Sequence, residues 1–290
     1  MTRLLGIDTW LKDFITENVE NNLREIFVNI NKISQEVGSE LGKTPESFNG
    51  QIFNILKNLS ENVVLPIAVL LVTLIIVINF CKSFLDDRER QQPLKILIFF
   101  VITSVFALTL TTHSFEIVNI ILNLTQTAVN NALDLFQNEN VNIAGDIETF
   151  LNTLENMSVG QIISIWLTLL LTKLILWFIR ILSQIVVLGR FIEIFMRISI
   201  SPIPFATFFN KEFSSTGYNF IKSMGSVVLQ AIRIMVVIAI YRGLLSSVAV
   251  DIGTEESLSL FIIKILGINL TLIFMLFQTK RIADSILNVH

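Results

Sequence analysis

The stretch SVGQIISIWLTLLLTKLILWFIRILSQIVVLGRFIEIFMRISISPIP, residues 158 to 204, decides how this chain folds. Ser158 and Gln161 stand at the Ser-x-x-Gln spacing that caps a helix reciprocally, so a helix is expected to begin there. The apolar helical pattern continues to about residue 200, roughly 60 Å at 1.5 Å per residue. A bilayer core of about 30 Å takes only some 20 helical residues. The segment must therefore leave the membrane, bend, or both, and Gly189 followed by Arg190 marks the expected break. Pro202 and Pro204 then remove two backbone donors and clash with the preceding turn, which stops a regular helix. A backbone broken at membrane depth survives only where protein or water satisfies its freed groups.

Composition agrees with a membrane protein. Of 290 residues 52% are hydrophobic, 23 are Phe, and the mean hydropathy is +0.69, more apolar surface than a water-soluble core hides. Charged residues make up 16% and gather between the apolar stretches. The opening MTRLLGIDTWLKDF lacks the short apolar core and cleavage site of a secretory signal, so targeting is expected to come from the first span. Cys81 is the single cysteine and His113 and His290 the two histidines, which leaves neither a disulfide nor a metal-ligand spacing. GSELGKT at 38 to 44 falls one residue short of a phosphate-binding loop and follows no strand. With no nucleophile elbow, His-Glu-x-x-His pair or Cys-His dyad, no catalytic, cofactor-binding or metal-binding residue is assigned, and an enzyme is not expected.

The expected fold is all-α: a polytopic helical membrane protein with about five transmembrane helices, amphipathic external helices and a proline-broken cytoplasmic-side hairpin. The spans are placed near 62–81, 94–112, 161–188, 223–241 and 259–277. Segment 113–158 holds six acids and neither Lys nor Arg, so the positive-inside rule puts it outside. Cations at 82–95, at 189–222 and in the tail face the cytoplasm, and 242–258 lies outside again. The N-terminus is then external and the C-terminus cytoplasmic. Four regions follow: 1–61, an external amphipathic helical region; 62–112, spans 1 and 2; 113–158, an external acidic amphipathic loop; and 159–290, spans 3 to 5 with the hairpin 189–222.

Within the first region Ile7, Trp10, Leu11, Phe14, Val19, Leu23, Ile26, Phe27, Ile30, Ile33 and Val37 draw one apolar stripe along a helix. Thr44 and Pro45 signal the start of a second helix. Residues 115–136 read as an amphipathic helix continuing from the second span or lying on the outer surface. The spans contain cations without acids: Lys173, Arg180, Arg233 and Lys264. A cation at bilayer centre costs about 2.5–3.5 kcal/mol on the insertion scale. Snorkelling would serve Lys264. For Lys173, Arg180 and Arg233 the alternatives are snorkelling, a hydrated conduit that favours a polyanion, or a subunit contact. In the hairpin, Arg190, Glu193, Arg197, Pro202, Pro204 and Lys211 are the candidate docking residues, or else belong to an ordinary oily loop.

The runs GKTPESFNGQIFNILKNLSENVVLPIAVLLVTLIIV at 42–77 and GRFIEIFMRISISPIPFATFFNKEFSSTGYNFIKSM at 189–224 resemble segments of TrbL-like conjugal transfer proteins. These are polytopic membrane subunits of type IV secretion systems, here of the kind on Gram-positive integrative elements and plasmids. The resemblance implies a channel or scaffold role in passing single-stranded DNA with its relaxase across the cell membrane. It also implies cytoplasmic ATPases and an external stalk protein as partners beside membrane lipid, and homo-oligomeric assembly. It carries over no DNA-contacting residue and no cofactor. A secondary transporter is the alternative, but neither repeated halves nor midplane carboxylates appear. A membrane-bound toxin or immunity partner would need no cytoplasmic docking surface.

Overall fold

The computed structural model describes residues 2–85, 93–137, 152–154, 157–210, 212–248 and 255–287, and among them no strand occurs. In chain order the helices are α1 (Thr2–Leu41), α2 (Pro45–Phe48), α3 (Gly50–Leu59), a π-helical turn (Ser60–Val64), α4 (Leu65–Leu85), α5 (Pro93–Thr112) and α6 (Ser114–Gln137). Then follow α7 (Val159–Ile200), α8 (Pro202–Ala206), α9 (Ser214–Val248) and α10 (Glu255–Leu287). Four helical stretches are long and apolar enough to cross a membrane: Gly50–Ser83, Leu94–Thr112, Val159–Ile200 and Ser214–Leu245. The expected fifth span falls in α10, whose apolar stretch Ile263–Thr279 is shorter. The chain is thus an all-α polytopic membrane protein.

Local signals set most helix ends. Thr44 Oγ1 accepts from the Ser47 N–H at 3.0 Å while Ser47 Oγ accepts from the Thr44 N–H at 2.8 Å, a reciprocal cap with Pro45 in the first turn. The helix it starts is short, because Asn49 is extended (φ −155°) and caps α3 afresh, its Oδ1 accepting from the Ile52 N–H at 3.1 Å. At Ser158 the side chain of Gln161 returns to accept the backbone N–H at 2.9 Å, opening α7 as expected. The break expected at Gly189–Arg190 does not occur: α7 runs on to Ile200. Glycine inside a helix costs only about 1 kcal/mol, and Gly189 lies on the exposed side with open space at its Cβ position. Buried Val187, Phe191, Ile194 and Ile198 keep the helical register through it. Between α5 and α6 the bonding hardly lapses, the Ile117 N–H donating to the His113 carbonyl at 3.0 Å, so α6 continues from the second span.

The chain forms two compact units. One comprises residues 1–41, 129–187 and 233–279. Here Ile15, Val19, Leu23, Ile26, Ile30, Ile33 and Val37 of α1 are buried, at gaps of three and four. Phe14 and Trp10, expected in the stripe, are exposed and stack on each other at 5.7 Å between ring centroids. Ile15 takes the inward position, since residue 14 lies about 100° round the helix from it. The side chains of Ile7 and Leu11 lie outside the described residues. Arg233 of α9 meets α10 at Thr279 and Tyr241 meets it at Asn269, an antiparallel pairing.

The other unit comprises 42–128, 188–232 and 280–290. Ala68, Val72 and Ile76 of α4, Ala107 of α5 and Ala206 of α8 form its buried cluster, with Leu71, Phe100, Ile203 and Phe209 packed against it. Lipid tails are as apolar as these side chains, so small residues that let backbones approach carry the packing. Alanine at 68, 107 and 206 supplies that closeness.

Candidate functional site at the proline corner

Ser201, Pro202, Pro204, Phe205 and Ala206 are all buried, and the corner they form leaves α7 and leads to α9. Its freed groups find partners nearby. Ser201 Oγ donates to the Ile198 carbonyl at 2.9 Å and Thr207 Oγ1 to the Pro204 carbonyl at 2.8 Å. From α4, Asn79 Nδ2 donates to the Phe209 carbonyl at 2.8 Å, and Asn79 Oδ1 accepts from Asn210 Nδ2 at 3.1 Å. Asn210 Oδ1 in turn accepts from the Glu212 N–H at 2.7 Å, shaping the entry to α9. One turn further along α4, Lys82 Nζ pairs with Glu212 Oε1 at 2.5 Å. Gly217 closes the corner from α9: a Cβ there would lie 2.9 Å from the Pro204 carbonyl oxygen and 3.1 Å from the Phe208 ring. Asn79 was not singled out by the sequence, although a lone amide in the run LIIVINF was the available signal.

The predicted docking side chains of the corner mostly point inward. Arg190 is 4% exposed, sits 5.6 Å over the Phe191 ring, and its Nε and Nη1 have no hydrogen-bond partner among the described residues. Arg197 pairs with Glu193 one turn earlier and donates to the Ser223 carbonyl at 2.5 Å, so α7 is tied to α9. Phe191 stacks on Phe48 of α2 at 3.8 Å between centroids. Side chains so placed build the corner, and its accessible surface is instead made by residues such as Lys82, Glu212, Phe213, Tyr218 and Lys222. Lys211 lies outside the described residues. The hairpin 189–222 was expected at one membrane face. Its arms are tied together where Arg197 meets Ser223, and it runs along the helical stretch Gly50–Ser83, with Phe191 beside Phe48 and, at its turn, Glu212 beside Lys82.

The predicted cations divide. Lys173 Nζ reaches Glu25 Oε2 at 2.5 Å and Asn22 Oδ1 at 3.0 Å, and Arg180 holds Glu36 through Nε at 2.9 Å and Nη2 at 2.5 Å. The acids missing from the spans are supplied by α1, which runs parallel to α7. Their spacing obscures the match: Glu25 to Glu36 is about 16 Å along a helix and Lys173 to Arg180 about 10 Å, a difference that long side chains absorb. Arg233 is half-buried with one long bond, Nη1 to the Thr279 carbonyl at 3.5 Å, and no carboxylate within ion-pair distance among the described residues. Lys264 is exposed.

No curated protein and no solved structure matches the chain. Residues 30–202, from the last third of α1 through α7 to the first proline of the corner, match the family described as TrbL/VirB6 plasmid conjugal transfer like protein. A match over more than half of its length, on helices that span and brace a membrane core, means that the chain belongs to the TrbL/VirB6 family of conjugal transfer membrane proteins.

Proposed function

We propose that the protein is a non-catalytic channel or scaffold subunit of a conjugative type IV secretion system, helping single-stranded DNA with its bound relaxase across the cell membrane. The family match over residues 30–202 carries this proposal. Energy then comes from cytoplasmic ATPases, an external stalk protein adds to the complex, and copies of the chain assemble with one another in lipid. Lys173 and Arg180 serve to fasten α1 to α7, since each already holds an α1 carboxylate. Arg233, with no such carboxylate among the described residues, is the cation left for a subunit or substrate contact. The N-terminus lies outside and the C-terminus in the cytoplasm. In donor cells, deleting the gene is expected to abolish DNA transfer while ATPase and relaxase levels stay unchanged, with recovery on complementation. Transfer at the parental frequency would refute the assignment. Photoreactive residues at 173, 180, 202 and 233 during active mating are expected to capture a neighbouring subunit or DNA at 233 and α1 at 173 and 180.

A further inference from the structure

We infer that residues 191–212 cross the bilayer beside α4 and α5 as a broken, proline-cornered span, and that Arg190 and Glu212 therefore lie on opposite sides of the membrane. Four observations within one unit fix the depth of this segment. Phe191 stacks on Phe48, just ahead of Gly50, where the helical stretch Gly50–Ser83 begins. Ala206 packs among Ala68, Val72, Ile76 and Ala107, along the first half of α4. Phe209 and Asn210 bond to Asn79, and Glu212 pairs with Lys82 at the far end of α4. From Phe191 to Glu212 the chain thus follows the stretch Gly50–Ser83, about 50 Å at 1.5 Å per residue.

The bilayer occupies the α4 part of that stretch. Gln51, Asn54, Lys57, Asn58 and Glu61 are exposed on α3 and the π turn, which belongs to water or headgroups. Beyond them Ile67, Leu70, Leu74 and Val77 are exposed and apolar, which belongs to lipid. Exposed Tyr218 and Phe213 near the Lys82–Glu212 pair mark the second interface, where aromatic rings and Lys gather. An irregular backbone at this depth is tolerable because Asn79, Ser201 and Thr207 take up the freed groups and α4, α5 and α9 cover them.

The charge pattern survives the reassignment. Lys82 and Glu212 keep one side and Arg190 takes the other, while Arg197 lies level with Ser223 of α9, to whose carbonyl it donates. Arg190 is buried and Arg197 is neutralised by Glu193, so neither presents a free charge that would orient the chain.

Impermeant maleimide labelling of intact and permeabilised cells tests this directly. In a Cys81→Ser background, single cysteines replace Glu46, Gly189, Lys82 and Glu212, all exposed. Glu46→Cys and Gly189→Cys are expected to label alike, and Lys82→Cys and Glu212→Cys to label alike with the opposite accessibility. Gly189→Cys behaving as Glu212→Cys does, or all four behaving the same, overturns the crossing. Should a variant fail to insert, exposed Leu188 and Phe213 report the same two sides.

Discussion

At the residue scale the corner depends on one amide and one glycine. Asn79 donates to a carbonyl and accepts from a side-chain amide, so its loss leaves two part-buried groups unpaired, toward the lower end of the about 1–3 kcal/mol for a buried group without a partner. Gly217 owes its identity to space: the nearest obstacle to a Cβ is a backbone oxygen, which cannot swing aside as a side-chain end would. Overpacking of this kind costs typically about 1–3 kcal/mol. Asn79→Ala and Gly217→Ala are both expected to lower the melting temperature of the detergent-purified protein by several degrees. Gly189→Ala, on open helix surface, should leave it unchanged or raise it slightly. Equal melting temperatures for Gly217→Ala and Gly189→Ala would show that the corner is not closely packed. Neither Asn79 nor Gly217 announces itself in the sequence, because what each touches is nine or more residues away.

At the element scale α1 is held by two unequal means. Its apolar stripe from Ile15 to Val37 is buried, whereas its ion pairs to α7 are a quarter to a half exposed, with Lys173 and Glu25 at 27% and 55%. Exposed pairs contribute about 0–1 kcal/mol each, and placing a polar group in the stripe costs more. Ile30→Asp is therefore expected to release α1, read as protease cleavage within 2–41, while Glu36→Gln leaves cleavage unchanged at moderate salt. Release by Glu36→Gln alone would mean that charge, rather than the stripe, holds the helix. The stripe itself was legible from period 3.6, apart from the Phe14 to Ile15 shift. That shift of one position is decided by which face α7 and its neighbours leave open.

At the scale of the whole molecule, charge asymmetry between loops predicts orientation, and a cysteine at position 140 is expected to react with an impermeant reagent in intact cells. Protection there, with labelling at 212, would invert the chain. The long apolar runs, the helix starts at Thr44 and Ser158, and the proline stop after Ile200 were fixed by sequence, because each arises from sterics and bonding within a few residues. Only the tertiary structure decided that α7 continues as a helix through Gly189, that α1 supplies the carboxylates for Lys173 and Arg180, and that the corner lies along α4 clamped by Asn79. These depend on which distant faces meet, and hydropathy, which treats every residue as if lipid alone surrounded it, has no term for a partner residues 130 or 148 positions away.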